Sequence, residues 1–408
     1  MAGLLLIPFG LVALNAALTH AAQLANGTIS HDFFDHAVQV LSGLLPYRNF
    51  RFEYPPLALV PMTLPHLVPG IDLSDYVWLL AAEGALVATS IGATLAWLGR
   101  RSWSLAATQQ VLGMYALVVL ALAPLLAWRF DPSVALIAVL GFVAAMRRRH
   151  GTAGVLLGLG TLMKIFPVAL VAVLALWLLA GRDQRAAARL VGSFVLTVVV
   201  VMVPLLLTAG PAGLSFLDYQ QARGLQIESL PGGIVLLAHL VSGIGVSVHF
   251  AFGAYEVGSS LDAPLLALQE PVMVAVLGGV LVLCALRFRE EHAALGAVRP
   301  QSIIGYVTAM LLALMVTDKV LSPQYLLWLL PFGPLLRPPQ AFLMVAACAL
   351  TTVVYPLDYD SLLALRPELI VVLNVRNLLL CILLGWLLIE HAPSALRSSA
   401  VPARIWSR

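Results

Sequence analysis

Residues 187–208 read AARLVGSFVLTVVVVMVPLLLT, and Arg189 is the one charged side chain among them. A helix of about 20 apolar residues crosses the hydrocarbon core of a bilayer. The whole chain has this character, since 61% of its 408 residues are hydrophobic, 11% are charged and the mean hydropathy is +0.96. Soluble domains carry about 25% charged residues. The composition therefore excludes a cytosolic enzyme, a nucleic-acid-binding protein and a disordered chain.

The hydrophobic pattern predicts an all-α polytopic membrane protein with about twelve transmembrane helices in one domain, residues 1–408. The predicted spans are 4–22, 76–98, 104–128, 133–146, 151–163, 165–180, 187–208, 265–287, 301–317, 324–336, 340–356 and 369–390. Residues 57–68 are apolar but short and contain two prolines, which favours a re-entrant or interfacial helix. Several predicted spans are well under 20 residues long, and this indicates broken helices beside a wet cavity.

The charges in the polar breaks predict the orientation of the chain. Arginines fill one set of breaks, at residues 100–101, 147–149, 182–189, 287–289, 337 and 397–408, and aspartates and glutamates fill the other set. The positive-inside rule places the arginines and both termini in the cytoplasm. Two long extracytoplasmic loops, 23–75 and 209–262, and a cytoplasmic tail, 391–408, follow from this assignment. We expect the working surface on the extracytoplasmic side.

Lysine is rare in this chain, with Lys164 and Lys319 set against twenty-one arginines. In the predicted topology both lysines lie at the outer ends of short hairpins, away from the arginine-rich face. A lysine there can extend its ammonium to the lipid headgroups. The alternative, which the adjoining proline-containing motifs favour, is a point charge that binds a phosphate.

Paired acidic residues mark the first outer loop. Asp32 and Asp35 are three residues apart and share a face if the segment is helical. A carboxylate at the membrane surface can act as a general base on a hydroxyl, although these two could instead be solvated or cap the following helix. Glu53 and Tyr54, which precede Pro55-Pro56, either line the same loop or mark the start of a helix.

Polar residues in the second outer loop, and one before a predicted span, could likewise have either a binding role or a structural role. Arg223, Gln226 and Glu228 could bind phosphate and sugar hydroxyls, or Arg223 could pair with Glu228 as an ordinary surface contact. Asp131 precedes Pro132, an order typical of a helix N-cap followed by proline at the first position.

These segments share one predicted membrane face and follow a fixed order. They are Asp32, Gly43-Leu-Leu-Pro46-Tyr47, Glu53-Tyr-Pro-Pro56, Asp131, Lys164-Ile-Phe-Pro167, Arg223-Gly-Leu-Gln-Ile-Glu-Ser229 and Ser322-Pro-Gln-Tyr325-Leu-Leu-Trp328. From about residue 30 to 335 the chain resembles glycosyltransferase family 87. That family comprises polyprenyl-phosphate-dependent transferases of the C-type membrane fold, including bacterial lipid mannosyltransferases and arabinofuranosyltransferases.

The resemblance implies a reaction at the outer face of a bacterial plasma membrane. A sugar, with mannose favoured over arabinofuranose, would pass with inversion from a polyprenyl phosphate to a hydroxyl of a glycolipid or polysaccharide. The expected base is an acidic residue of the first outer loop. Asp32 is the first candidate for this role and Asp35 the second.

The resemblance also implies roles for the other candidate residues. It implies that Lys164, Arg223 and Lys319 bind the donor phosphate and that Trp328 packs against lipid or the donor's tail. The candidate substrate-binding residues are Glu53, Tyr54, Gln226, Glu228, Gln324 and Tyr325. The sequence contains no metal-ligand cluster, and side chains can neutralise a phosphate leaving group, so we expect neither a metal nor another cofactor. The predicted partners are the donor, the acceptor and membrane lipids, without nucleic acid.

A transporter or flippase of a lipid-linked sugar is the alternative function. Such a protein would need polar residues along a path through the bilayer. The predicted spans offer few: Glu83, Gln109, Gln110, Asn374 and Arg376. This number favours the transferase.

Overall fold

The computed structural model describes residues 2–396, and within that range eight helices are long and apolar enough to cross a membrane. The α-helices are α1 Ala2–Asn26, α2 Thr28–Leu41, α3 Leu59–Thr63, α4 Leu73–Ser102, α5 Leu105–Leu126, α6 Asp131–Met146, α7 His150–Met163, α8 Val168–Ala180, α9 Gln184–Ala209, α10 Ser215–Ala222, α11 Leu230–Ser242, α12 Asp262–Leu295, α13 Pro300–Thr317, α14 Pro338–Thr352, α15 Tyr359–Leu363 and α16 Pro367–Glu390. Shorter turns of 3-10 helix are Pro56–Ala58, Leu64–Leu67, Gly210–Leu214, Pro323–Leu329, Gly333–Leu335 and Ser394–Leu396, and a π-helical turn is Val353–Leu357. The tail arginines Arg397, Arg404 and Arg408 lie outside the described residues.

The polar breaks end the helices through specific caps. Asp72, Ser104 and Asp183 precede α4, α5 and α9, and each side chain accepts a hydrogen bond from the backbone N–H three residues later, at 2.9, 3.2 and 2.9 Å. Such caps satisfy N–H groups that a helix leaves without an internal partner. Eleven of the twelve predicted spans consequently coincide with helices, of which α6, α7 and α8 have only 16, 14 and 13 residues.

The predicted span 324–336 is wrong as an α-helix. The chain there forms the two 3-10 turns Pro323–Leu329 and Gly333–Leu335, because Pro323, Pro331 and Pro334 interrupt the hydrogen-bond ladder. Almost every side chain from 326 to 336 is buried in protein. The segment runs from the N-terminal end of α6, where Trp328 contacts Asp131, to the C-terminal end of α16, where Arg337 pairs with Glu390 at 2.7 Å.

The region predicted as the second outer loop is largely ordered structure. It contains α10, the apolar helix α11 and a small antiparallel sheet of β1 Leu225–Gln226, β2 Ser247–Ala251 and β3 Ala254–Gly258 in the order β1-β3-β2. Phe252 and Gly253 join β2 to β3 with φ of +50° and +68°. Two positive φ values in a two-residue connection are those of the type I′ hairpin. This sheet and an isolated β-bridge between Pro46 and Phe50 are the departures from an all-α fold in the described chain.

The region predicted as the first outer loop packs against the ends of several helices. Helix α2 packs against α3 and α4, and the turn Pro56–Ala58 contacts α7. Arg48 donates a hydrogen bond to the carbonyl of Thr208, the next-to-last residue of α9, at 3.2 Å. The apolar stretch 56–67 is three successive short turns. Its re-entrant or interfacial placement stays a prediction.

Helices α7 and α9 pack closely through glycines on α7. A Cβ built on Gly154 would collide with the carbonyl of Leu190 and the hydroxyl of Ser193, and one on Gly158 would lie 2.9 Å from the Cβ of Thr197. Small residues four apart let two membrane helices bring their backbones together. Residues 187–208 are therefore positioned by the small face of α7.

We expect Gly154→Ala to destabilise the protein by about 1–3 kcal/mol, because the added methyl group overpacks the α7–α9 contact. Thermal unfolding in detergent micelles measures the effect. Gly151→Ala, on the same helix with open space around its Cβ position, is the matched control and should be neutral or stabilising. Equal unfolding temperatures for the two variants would show that the glycine face does not set the packing.

Candidate active site

A buried ion pair lies at the N-terminal end of α6. Lys164 ends α7 in extended conformation and places its Nζ 2.6 Å from Oδ1 of Asp131. Trp328 donates its indole N–H to the same oxygen at 2.9 Å. Asp131 is 1% exposed and is the first residue of α6, whereas Phe130 occupies the cap position. The predicted N-cap role of Asp131 is therefore wrong, and its carboxylate serves Lys164 and Trp328.

Aromatic rings surround this ion pair. The indole of Trp328 stacks between Phe166 and Tyr325, with ring centroids 4.6 and 4.1 Å away. The Nζ of Lys164 lies 5.3–5.8 Å from the ring centres of Phe130, Tyr325 and Trp328. Cations are attracted to such ring faces. Trp328 is 5% exposed, so the prediction that it packs against lipid or the donor's tail is wrong.

Two carboxylates of the first loop lie within electrostatic reach of each other. Burial raises the pKa of Asp32, His36 lowers it and Asp35 raises it. Burial also raises the pKa of Glu53, with His36 lowering it and Asp32 raising it. On α2 the neighbouring Phe33 is buried, whereas Asp32 and Asp35 both lie on the exposed side. Asp32 is the one of the two aspartates that acts on Glu53.

Tyr54 lies near Glu53 of the first loop and near the residues around the ion pair. Burial raises the pKa of Tyr54, and Glu53 raises it further. Arg129 lowers this pKa, whereas Asp131 raises it. The ring of Tyr54 packs edge-on against Phe130, with centroids 5.2 Å apart. Tyr54 thus adjoins Glu53 of the first loop and contacts the start of α6 through Phe130.

The segment 223–229 is held beside the chain that follows α13. The N–H of Gln226 donates to the carbonyl of Lys319 at 3.0 Å, and its side-chain amide donates to Oγ of Ser322 at 3.3 Å. The Nζ of Lys319 donates to the carbonyl of Gln221 at 2.8 Å. Arg223, which is 8% exposed, acts electrostatically on Lys164 and on Asp318. The structure thus brings Lys164, Arg223 and Lys319 to one region.

Glu228 pairs with a residue of α16. Its Oε2 lies 3.8 Å from Nη2 of Arg376, which also donates to the carbonyl of Glu228 at 2.9 Å. Burial raises the pKa of Glu228 to about 7, although Arg376 and a hydrogen bond from Tyr359 lower it. The alternative in which Arg223 pairs with Glu228 is therefore wrong, and both partners of the actual pair are buried.

Gln324 and Tyr325 begin the irregular segment described above. Both are half-buried. The ring of Tyr325 stacks on Trp328 and lies 5.4 Å from the Nζ of Lys164. The described residues contain no group of three or more histidine, cysteine, aspartate or glutamate side chains that could hold a metal ion. Metal independence remains a prediction.

The family model of glycosyltransferase family 87 matches residues 52–317, about two thirds of the chain. The chain belongs to glycosyltransferase family 87. A search of curated proteins found no match. The matched range includes Glu53, Asp131, Lys164, Arg223 and Glu228. Asp32 and the segment 318–328 lie outside it, and their place in the site follows from the contacts given above.

Arg129 is a residue of this glycosyltransferase site that the sequence interpretation missed. It is 8% exposed, donates to the carbonyl of Trp128 at 3.2 Å and to the hydroxyl of Tyr355 at 3.3 Å, and leaves its Nε without a partner in the described chain. It acts electrostatically on Tyr54, Lys164 and Glu228. One signal was present: an arginine beside Asp131, in an acidic break, opposes the positive-inside pattern.

Charge balance singles out two of the cations of the glycosyltransferase. Lys164 and Arg376 each have a carboxylate within 4 Å. Within residues 2–396, Arg129 and Arg223 have none at that distance although both are buried. A buried charge without a partner is costly. These two guanidinium groups are therefore suited to an anionic ligand.

We expect Lys164→Met and Asp131→Asn each to destabilise the protein by about 3–5 kcal/mol, because each leaves a buried charge or acceptor without its partner. The double variant should lose less than the sum of the two. Denaturant unfolding in detergent gives the three values. Arg337→Met is the control, because it breaks a 2.7 Å pair whose arginine is 60% exposed and should cost about 1 kcal/mol or less. Additive losses at Asp131 and Lys164 would show that the pair does not act as a unit.

Proposed function

We propose that this glycosyltransferase transfers a sugar from a polyprenyl phosphate to an acceptor hydroxyl on the extracytoplasmic face of a bacterial plasma membrane. One observation supports it above the others. The first loop carries the carboxylates Asp32 and Glu53 beside Tyr54, whose ring packs against Phe130 at the start of α6, and the cations Arg129 and Arg223 act electrostatically on Lys164, the partner of Asp131. Nucleophilic attack with loss of a phosphate needs groups of these two kinds.

The carboxylates and the cations have different roles in the reaction. The acceptor oxygen forms a bond to the anomeric carbon while the bond from that carbon to the phosphate oxygen breaks. The hydroxyl proton passes to the carboxylate of Asp32, and the electron pair of the broken bond stays on the polyprenyl phosphate. Arg129 and Arg223, with Lys164 and Lys319, neutralise the charge that develops there. Base and leaving group on opposite sides of the sugar give a single displacement, and hence inversion.

The arrangement of arginines supports an extracytoplasmic site. Arg101, in the last turn of α4, and Arg147, at the C-terminal end of α6, lie 4.7 and 4.4 Å over the ring of Trp97. Asp131 begins α6, so its 16 residues separate the site from this basic end by about 24 Å. The positive-inside rule assigns the arginine-rich end to the cytoplasm.

Twelve crossings are consistent with this orientation. The eight long helices supply eight of them, α6, α7 and α8 supply three, and the buried segment 323–337 supplies the last. A 3-10 helix rises about 2 Å per residue, so 15 residues reach about 30 Å, the thickness of the hydrocarbon core. Irregular backbone is tolerated at that depth where it is buried in protein.

The base assignment predicts that Asp32→Asn lowers transfer by about 10²–10⁴-fold, because the amide cannot accept the proton. Radiolabelled polyprenyl-phosphate mannose and a lipid extract of the organism that encodes the chain serve as substrates. Asp35→Asn is the matched control and should keep most of the activity. If Asp32→Asn turned over as fast as the wild type, Asp32 would be excluded as the base.

Acidification should stop wild-type transfer through the same carboxylate. Asp32 accepts a proton only when ionised, and burial raises its pKa above the ordinary 3.8. The rate should therefore fall as the pH decreases through that raised pKa. Should the mannose donor fail, the arabinofuranose donor is tested next, and no label transfer from either donor would contradict the proposed function.

The cation assignment predicts that Arg129→Met lowers kcat/KM for the donor by at least about 10²-fold, as expected when a preorganised donor to a developing charge is lost. Arg129→Lys should recover part of the loss. Initial rates against donor concentration measure it. Arg48→Met, which removes a guanidinium hydrogen bond on the same outer surface, is the control and should stay near the wild-type value. Equal kinetics for the two methionine variants would exclude Arg129 from the phosphate site.

A further inference from the structure

Arg223 lies in a short extended segment between α10 and β1. It follows the last residue of α10 with φ of −67° and ψ of 143°. Lys319 holds the chain on both sides of this point. Its Nζ donates to the carbonyl of Gln221 at 2.8 Å, and its carbonyl accepts from the N–H of Gln226 at 3.0 Å. These bonds fix the ends of the segment and leave the backbone beside Arg223 to be held by another group.

A carboxylate of β3 holds the backbone next to Arg223. The N–H of Gly224 donates a hydrogen bond to Oε1 of Glu256 at 2.9 Å, and Glu256 is 5% exposed. A hydrogen bond from an N–H group to an ionised carboxylate is about twice as strong as one between neutral groups. The peptide that follows Arg223 is therefore held against the small sheet by a buried side chain.

Gly224 permits this approach because it has no side chain. A Cβ built at this position would lie 2.6 Å from Oε2 of Glu256 and 3.3 Å from its Cδ. An alanine at position 224 would therefore push the carboxylate aside. The carboxylate is the far end of a flexible side chain, so its displacement would break the hydrogen bond and leave the surrounding fold in place.

The strand that carries Glu256 is fixed relative to the segment that it holds. In the pairing of β1 with β3, Leu225 is opposite Val257, and the N–H of Ile227 donates to the carbonyl of Tyr255 at 3.0 Å. Leu225, Ile227 and Val257 are each 2% exposed or less and belong to one apolar cluster. Glu256 therefore extends from a backbone that both hydrogen bonds and apolar packing hold in place.

The carboxylate of Glu256 holds the backbone beside Arg223 without pairing with its guanidinium. Its second oxygen, Oε2, lies 3.7 Å from Nε2 of His249, the residue opposite it on β2. Within residues 2–396, Arg223 has no carboxylate within 4 Å although it is 8% exposed. A guanidinium that is not already paired can form charge-assisted bonds to a phosphate. Glu256 can therefore place Arg223 and leave its charge available to an anionic ligand.

We propose that Glu256 is a positioning residue of the donor-phosphate site and that it holds Arg223 through the N–H of Gly224. This inference rests on the proposed function, in which Arg223 neutralises the leaving phosphate. A group that stabilises developing charge must be in place before the reaction, and a displacement of about 1 Å can lower the rate about 10²-fold. Loss of the bond to Gly224 should therefore weaken the use of the donor and leave the acceptor requirement unchanged.

Donor and acceptor titrations of Glu256→Met, Glu256→Gln and Gly224→Ala in the full chain test the proposal. Glu256→Met and Gly224→Ala should lower kcat/KM for radiolabelled polyprenyl-phosphate mannose by about 10–100-fold, with the half-maximal amount of lipid extract within about twofold of the wild type. Glu256→Gln should stay within about threefold of the wild type, because its amide oxygen still accepts the N–H of Gly224. Glu368→Met, at an exposed position in the first turn of α16, is the matched control and should change neither value.

The same variants in an Arg223→Met background separate positioning from general support of the fold. If Glu256 acts through Arg223, Glu256→Met should lower kcat/KM by less than about twofold once residue 223 is methionine. A larger further loss in that background would show that Glu256 acts on the fold and not through Arg223. That result, or an unchanged kcat/KM for Glu256→Met alone, would overturn the proposal.

Hydrogen–deuterium exchange of the purified protein, without substrate, separates this proposal from the transfer reaction. We expect faster deuterium uptake at residues 223–229 in Glu256→Met and Gly224→Ala than in the wild type, Glu256→Gln and Glu368→Met, because loss of the bond lets the segment open locally. Faster uptake together with no label transfer by the wild type would contradict the proposed reaction and leave the hold of Glu256 on the segment standing. Unchanged uptake would overturn the proposal.

Discussion

The ion pair between Lys164 and Asp131 fixes three chain segments with one carboxylate oxygen. Lys164 lies between α7 and α8, Asp131 begins α6, and Trp328 belongs to the irregular segment. The attraction between two buried charges offsets the cost of their desolvation only when the charges are close and additional hydrogen bonds satisfy them. The bond from Trp328 supplies that addition and, through stacking, positions Tyr325. A change in any of the three segments would therefore alter the geometry of the site.

Irregular backbone between α13 and α14 imposes the second constraint. The segment 323–336 has three prolines and cannot form a continuous α-helix. Protein buries most of its side chains, and irregular backbone among apolar helices is tolerated where protein covers it. The irregular course brings Trp328 to Asp131 and Tyr325 to Lys164. The prolines that break the helix therefore also help to set the position of the site.

Much of the fold was predictable because hydrophobic runs and charged breaks are local signals. The run 187–208 became α9, and caps such as Asp72 ended helices where composition changed. The site was predictable only in part. Lys164 stands out in the sequence as one of two lysines, whereas Asp131 predicts a helix N-cap; their pairing depends on how α6 and α7 pack, and no spacing along the chain encodes that. The same reason explains why Glu228 was given the wrong partner: Arg376 is 148 residues away.

Three of the polar residues within the predicted spans, Glu83, Asn374 and Arg376, have contacts between elements of the fold. Arg376 and Asn377 of α16 donate to the carbonyls of Glu228 and Ser229, at 2.9 and 3.3 Å, and so anchor the segment that carries Arg223. Asn374 lies on the same helix, close to where a Cβ on Gly233 of α11 would be.

Glu83 accepts a hydrogen bond from Ser133 at 3.1 Å and thereby joins α4 to α6. A transport path would need such groups to face a continuous aqueous route. Here Glu83 joins two helices and Arg376 holds Glu228 against α16, so both groups help to position the candidate site.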